Sequence, residues 1–140
     1  MKISEDYNKD SVDYNWQIVV KYAIQKADFV EFNVNYPDDY EKIKMFLNTF
    51  RDTPAEIIKS KKKYFGENNY VLRMKLTPEL KNYLLTTNYT AYLNTYMEDP
   101  SFYVGEKEFV VSITHENMIV LLDIEPHELD ILVSEGFEIS

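Results

Sequence analysis

Apolar and polar side chains alternate along several short segments of the chain, which is the pattern of half-buried β-strands. The clearest case is residues 70–76, where every second residue is large and apolar and Arg73 and Lys75 stand between them. The pattern predicts strands at six places, namely residues 15–24, 28–35, 70–76, 102–104, 108–114 and 118–124. Because a short turn around Ala27 separates the first two segments, we expect them to form an antiparallel hairpin.

Four helix starts follow from capping signals between and after these segments. A capping residue followed three positions later by Glu occurs at Asp38–Glu41 and at Thr53–Glu56. A proline at the first helical position marks Pro78 and Pro126. The helix that begins at Thr53 is predicted to be weaker than the one that begins at Asp38, to run through Lys63 and to end before Gly66.

These elements together predict one α+β domain that comprises residues 1–140. Its mostly antiparallel sheet is expected to pack three or four helices on one side. The polar opening of the chain, residues 1–13, is expected to be flexible.

The C-terminal third is the most clearly patterned part of the chain. Residues 118–122 are apolar on both faces, which predicts a central strand with Leu121 in the core. A helix should then run from Pro126 to the region of Gly136. Its predicted packing stripe is Leu129, Leu132 and Val133, and its predicted solvent side is His127, Asp130 and Ser134.

The net charge of −9 is unevenly distributed along the chain. Residues 98–140 contain 11 Asp and Glu against one Lys, whereas residues 1–97 contain 13 Asp and Glu against 14 Lys and Arg. Nucleic acid is a poor partner for such a surface, because phosphate binding depends on clustered Lys and Arg. A basic protein is a better one. Alternatively, the acidity serves only to keep the domain soluble.

Composition excludes several further classes of function. The chain has no cysteine, so it has neither disulfides nor a thiolate metal site. The opening residues lack the apolar core of a secretory signal, and no segment is long and apolar enough to cross a bilayer. We therefore expect a cytoplasmic protein without a membrane partner.

Residues with catalytic potential are few. Each of the two histidines precedes a glutamate, but the second histidine of an H-E-x-x-H zinc motif is missing in both cases. His115, Asp123 and His127 could still meet around a metal ion, and Ser112 with His115 could suggest acyl transfer, although no nucleophile-elbow motif accompanies them. We expect no catalytic, cofactor-binding or metal-binding residues and no enzymatic activity.

One basic cluster stands against the acidic majority of the chain. It consists of Lys59, Lys61, Lys62 and Lys63. Such a cluster either contacts phosphate or an acidic partner, or is a solvated helix face.

Twelve tyrosines exceed the usual share, and tyrosine is enriched at protein interfaces. A biased base composition, visible in the many Asn, Lys and Ile residues, is the alternative explanation. We predict that Tyr103, at the first turn of the acidic region, is an anchoring contact for a partner. We also predict that carboxylates at turns, at a helix start and on the solvent side of a helix are exposed. The predicted partner-binding residues are Tyr103, Glu106, Glu108, Glu116, Glu125, Glu128 and Asp130.

Two segments of the C-terminal third resemble a known class of proteins. Residues 98–104 (EDPSFYV) and 114–121 (THENMIVL) resemble the closing hairpins of small bacterial immunity proteins, which neutralise polymorphic toxins. The resemblance implies a cytoplasmic inhibitor that binds a cognate toxin domain, often a basic nuclease. A small acidic chaperone for an exported protein and an enzyme with an unrecognised site remain the alternatives.

Overall fold

Seven strands form one antiparallel sheet in the computed structural model, which describes residues 2–5, 9–60, 70–93 and 95–139, with backbone alone for 2–5 and 9–11. The strands are β1 (Lys2–Glu5), β2 (Phe29–Val34), β3 (Ala55–Lys59), β4 (Tyr70–Lys75), β5 (Met97–Val104), β6 (Lys107–Ile113) and β7 (Met118–Leu121). Their order across the sheet is β1-β7-β6-β5-β2-β4-β3, and every neighbouring pair is antiparallel.

Four α-helices in the described residues pack on one face of this sheet. They are α1 (Lys9–Lys26), α2 (Tyr40–Thr49), α3 (Pro78–Thr86) and α4 (Pro126–Ser134). Each helix contributes to the same core as the sheet residue Phe32, through Trp16, Ile43, Leu80 and Leu132 respectively. The predicted α+β class, with helices on one side of an antiparallel sheet, is confirmed.

Aromatic side chains dominate the core between helices and sheet. The ring of Trp16 contacts Tyr89, Tyr92 and Phe102 at centroid distances of 5.5, 6.3 and 6.0 Å. Such ring pairs add about 0.5–1.5 kcal/mol each beyond their area burial. Tyr89–Tyr92 is a short 3₁₀ turn. Leu121, predicted to be a core residue, is completely buried.

The first predicted strand, residues 15–24, is wrong because this segment belongs to α1. Between residues 14 and 25 the exposed positions are Tyr14, Gln17, Lys21 and Gln25, which recur at the three- and four-residue spacing of a helix. Ile18, Val19 and Val20 are buried in succession, so this apolar run fits the two-residue repeat of a strand as well as the 3.6-residue repeat of a helix. The predicted hairpin is consequently absent, and β2 pairs with β4 and β5 instead.

The helix predicted from Thr53 is also wrong, because residues 55–59 form β3. The consecutive β-branched residues Ile57 and Ile58 favour a strand, and cross-strand pairing with β4 fixes it. Of the basic cluster, Lys59 ends this strand. Lys61, Lys62 and Lys63 lie outside the described residues, as does the predicted end of the helix.

Two further strand boundaries differ from the predictions by three residues or more. β5 begins at Met97 rather than at residue 102, with Asp99 at φ 52° next to a register shift against β2. β7 ends at Leu121 rather than at residue 124. The opening residues, expected to be flexible, include β1 and the first turn of α1.

Two local predictions about helices are wrong as well. α2 starts one residue later than predicted, after Asp39, whose side chain makes no capping hydrogen bond. In α4, Leu132 is buried and Leu129 half-buried as predicted, but Val133 is 47% exposed. His127, Asp130 and Ser134 are exposed, as predicted.

Candidate functional site

The most unusual chemistry lies on the distal face, defined here as the sheet face opposite the described helices. In β2 and β4, residues that alternate with the core side chains point to this face. Glu31 and Arg73 stand directly opposite each other in the register of these strands. Cross-strand partners of opposite charge attract each other, so the register itself places an ion pair here.

The Glu31–Arg73 ion pair is short and buried. Arg73 Nη1 donates to Glu31 Oε2 at 2.7 Å, and the two side chains are 7% and 10% exposed. The guanidinium also lies over the rings of Phe29, at 4.0 Å from its centroid, and Tyr103, at 5.2 Å. A buried charge is tolerated only when it is paired and hydrogen-bonded, and this guanidinium meets both conditions.

The same arginine fixes the turn between β5 and β6. Arg73 Nη2 donates to the carbonyl oxygen of Gly105 at 2.7 Å, while the Gly105 N–H donates to Asp28 Oδ2 at 2.9 Å. Gly105 adopts φ 58°, a left-handed conformation that glycine enters without steric cost. Both backbone polar groups of the turn glycine are therefore held by side chains from other parts of the chain.

Tyr103 lies beside this turn and is only 8% exposed. Its hydroxyl donates to Glu108 Oε2 at 2.9 Å. Burial, followed by the Glu108 and Glu31 carboxylates, raises the pKa of Tyr103. The Tyr103 hydroxyl therefore remains protonated and donates a hydrogen bond that holds Glu108 in place. The ring does not project into solvent as the anchoring side chain that we expected.

A cavity of about 300 Å³ opens on the distal face beside these residues. It crosses the sheet from β3 to the β5–β6 turn. Among the described residues, its lining includes Glu31, Ile58, Lys59, Ser60, Val71, Tyr103, Glu106 and Glu108. Apolar side chains and carboxylates thus share one concave surface.

The structure brings three of the predicted partner-binding residues together at this cavity and separates the other four from it. Tyr103, Glu106 and Glu108 line the cavity. Glu116 lies in the short connection from β6 to β7, at the opposite end of β6 from the turn. The remaining three, Glu125, Glu128 and Asp130, belong to α4 or its N-terminus, on the helix-covered side of the sheet.

Glu128 has structural partners within the helix layer. Its Oε1 accepts from the backbone N–H of Glu125 at 3.3 Å, and its Oε2 lies 3.7 Å from Lys26 Nζ. Burial, together with the Glu128 carboxylate, raises the pKa of Tyr22 to about 12. Glu128 therefore stabilises the start of α4 and its contact with α1.

Glu31 and Arg73 were not predicted from the sequence to be parts of the site. Alternation in residues 70–76 did place Arg73 on the polar side of its strand. Glu31 and Arg73 are 42 positions apart along the chain, so nothing local in the sequence connects them. Only the pairing of β2 with β4 brings them together. Once that register is known, the opposite charges identify the pair.

The histidines do not assemble a metal centre in the described part of the chain. His115 Nε2 lies 2.7 Å from Glu98 Oε2, and His127 is exposed on α4. Among the described residues, no group of three or more His, Asp or Glu side chains is arranged to hold a metal ion. None of the helices described is long and apolar enough to cross a membrane.

Comparison with protein-family models, with curated proteins and with solved structures finds no match for the chain.

Proposed function

We propose that the chain is a non-enzymatic protein-binding module that neutralises a basic partner. An immunity protein that binds a cytoplasmic toxin domain is the form that fits the charge distribution best. The observation that carries the proposal is the fixed turn at Gly105, which places Glu106 together with Glu108 in the lining of the cavity. The side chain of Glu106 is 89% exposed, so it is accessible to a partner.

Long-range electrostatics supports the same conclusion. Residues 98–140 carry a net charge of −10, and several of their carboxylates are exposed. A surface of one charge sign attracts partners of the opposite sign and raises the association rate, within a Debye length of about 8 Å at physiological salt. A partner with a basic surface would thus be captured faster than a neutral one.

The rigidity of the turn also favours binding. A loop that becomes ordered upon association loses conformational entropy, which weakens the complex. Here Arg73 and Asp28 hold the turn at Gly105 from both sides before any partner arrives. The proposed contact surface is therefore largely formed in the free protein.

A second candidate function is that of a small acidic chaperone, which one observation favours. α4 exposes two apolar side chains, Ile131 at 54% and Val133 at 47%. An exposed apolar helix surface can bind an apolar segment of a client protein or mediate dimerisation. This function would use the helix-covered side of the sheet. It therefore predicts that substitutions in α4, rather than at the acidic turn, weaken partner binding.

Partner capture followed by reconstitution tests the proposed function. The chain is immobilised, its partner is captured from the source cell and identified by mass spectrometry, and both proteins are then purified. Stopped-flow association should slow by about tenfold or more from low to high salt. Replacement of Glu106 and Glu116 together by Gln should flatten this dependence.

The matched control replaces Glu41 and Glu79 by Gln, which removes the same charge from two exposed positions outside the acidic third. This control should retain the salt dependence of the unmodified protein. An association rate that is indifferent to salt and to both pairs of substitutions would contradict the proposal. Sensitivity to Ile131→Ser instead would favour the chaperone.

A further inference from the structure

We propose that a second copy of this chain packs on the α1–α4 groove and forms a symmetric dimer. The groove lies between the two helices, on the helix-covered side of the sheet, and has a volume of about 290 Å³. Among the described residues, its lining includes Lys21, Tyr22, Gln25, Glu128, Ile131, Leu132 and Glu135. The inference goes beyond the proposed function, because it concerns the side of the sheet opposite the cavity on the distal face.

Two contacts show that α1 and α4 run antiparallel along this groove. The hydroxyl of Tyr14 donates to the carbonyl oxygen of Glu135 at 3.2 Å, and Lys26 Nζ lies 3.7 Å from Glu128 Oε2. The start of α1 therefore lies beside the end of α4, and the end of α1 lies beside the start of α4. Lys21 is placed between these two contacts, near the middle of the groove.

An exposed apolar side chain lies in the groove. Ile131 is 54% exposed, although its neighbour Leu132 is 1% exposed in the core. Glu128, Ile131 and Glu135 follow one another at spacings of three and four residues, so they share one side of α4. Because removal of apolar surface from water is favourable, Ile131 gives this side of the helix a reason to be covered.

Unpaired charges identify the occupant as a second copy. Glu128 already has a cationic neighbour within its own chain, Lys26. Among the described residues, the side chains of Lys21 and Glu135 form neither an ion pair nor a hydrogen bond. The groove thus has an unpaired positive charge on α1 and an unpaired negative charge beside α4, and another copy of the same groove is complementary to it.

One symmetry operation satisfies both charges. A two-fold axis that runs between the helices and parallel to them places α1 of one copy over α4 of the other, without shifting either copy along the axis. Lys21 of each copy then lies within about one helical turn of Glu135 of the other, a distance that the long lysine side chain can span. Ile131 of each copy covers the groove of the other.

The size of the face predicts a weak dimer. The nine residues of α4 extend about 14 Å, and two helices side by side are about 20 Å wide. This face is smaller than the roughly 800 Å² that each partner buries in a standard interface. The net charge of −9 on each copy opposes association, although charges beyond about 8 Å are largely screened at physiological salt. We therefore expect a dissociation constant on the order of 100 μM.

Sedimentation equilibrium of the purified protein, from about 10 μM to about 1 mM at physiological salt, measures the dimer. Ile131→Ser should weaken dimerisation by about tenfold or more, because each dimer contains the lost apolar contact twice. Val133→Ser is the matched control. Val133 is 47% exposed on the same helix but is not among the described residues that line the groove, so this variant should dimerise like the unmodified protein.

Two charge reversals test the symmetry of the contact. Lys21→Glu would bring two carboxylates together at both ends of its own dimer, and Glu135→Lys would do the same with two ammonium groups. Each variant alone should therefore be monomeric over this range. An equal mixture should form a heterodimer with about the affinity of the unmodified protein, because every charge then faces an opposite one.

The matched controls for the reversals lie on α2. Lys44→Glu and Glu41→Lys reverse the same charges at exposed positions away from the groove. Each of these variants should dimerise like the unmodified protein. Monomers in these two variants as well would show that net charge, rather than the groove, decides association.

Three further outcomes would overturn the inference. A protein that stays monomeric at about 1 mM would leave the groove to a segment of another protein. Equal losses for Ile131→Ser and Val133→Ser would place the contact elsewhere. A mixture of the two reversal variants that remains monomeric would exclude the pairing of Lys21 with Glu135. All of these measurements use the protein alone, so they fail or succeed independently of the capture of a basic partner.

Discussion

Replacement of Arg73 by methionine tests whether the distal face is organised around its guanidinium. Methionine preserves much of the aliphatic length, but it removes the charge and every hydrogen bond of the head group. Glu31 would then be left buried without its cationic partner, and Gly105 would lose the donor to its carbonyl oxygen. We expect a large loss of stability.

The structure sets the magnitude of this loss. Two unit charges at 4 Å attract each other by about 4 kcal/mol at an effective dielectric constant of 20. Removal of one partner of a buried pair generally destabilises a protein by about 3–5 kcal/mol, because the remaining charge stays desolvated. Since small domains are stable by only about 5–15 kcal/mol in total, Arg73→Met should remove a large part of the stability of the protein.

Urea unfolding monitored by tryptophan fluorescence measures the effect. Trp16 is the sole tryptophan of the chain and is completely buried, so its emission reports on the whole core. Glu106→Gln is the control, because Glu106 contacts the same guanidinium but its side chain is 89% exposed. It should change the free energy of unfolding by less than about 0.5 kcal/mol.

A rescue variant separates the charge effect from lost packing. Arg73→Met combined with Glu31→Gln removes both charges of the pair, and it should recover a substantial part of the lost stability. If Arg73→Met alone costs less than about 1 kcal/mol, or if the double variant is less stable than the single one, the unpaired charge is not the cause and our account of the site is wrong.

Other predictions concern the core, alkaline pH and the turn. Leu121→Ala should cost about 2–5 kcal/mol in denaturant unfolding, whereas Val133→Ala on the surface of α4 should cost less than about 1 kcal/mol. Because burial raises the pKa of Tyr22 to about 12, against about 10 in the unfolded chain, its stabilising contribution is complete below pH 10 and is lost as the pH rises toward 12. Thermal unfolding followed from pH 8 to 12 should show this decline, and Tyr22→Phe should reduce it. Asp28→Ala should remove the acceptor for the Gly105 N–H and accelerate hydrogen exchange at that amide, with a loss of about 1 kcal/mol.

The sequence predicted the class of fold because most strands have only one apolar face. In β4, the core side chains Leu72 and Met74 alternate with Arg73, as the pattern required. The same reasoning failed for residues 15–24, where Ile18, Val19 and Val20 are adjacent and fit the repeat of a strand as well as that of a helix. The polar residues Gln17, Lys21 and Gln25 recur every four positions and form the exposed side of the helix, so the failure came from weighing the apolar run above this polar spacing.

β3 shows a different limit of sequence patterns. Its start carries a capping threonine, a proline and a glutamate at the spacing of a helix N-terminus, yet Ala55 to Lys59 pair with β4. The hydroxyl of Thr53 does not cap a helix and instead forms a 2.7 Å hydrogen bond with the hydroxyl of Thr77. A local capping signal is worth only about 1 kcal/mol, so five residues of strand pairing outweigh it.

The candidate site was predictable only in part, because its acidic residues are local in sequence and its organising cation is not. Glu106 lies in the turn that the glycine marks and Glu108 follows it in β6, whereas Arg73 reaches Glu106 from two strands away across the sheet. A buried ion pair is weak evidence for stability, since apolar residues of similar volume often stabilise as well or better. What apolar residues cannot do is donate to the carbonyl oxygen of Gly105 and hold the turn. The position of Arg73 is therefore explained better by the orientation of the acidic turn than by the stability of the sheet.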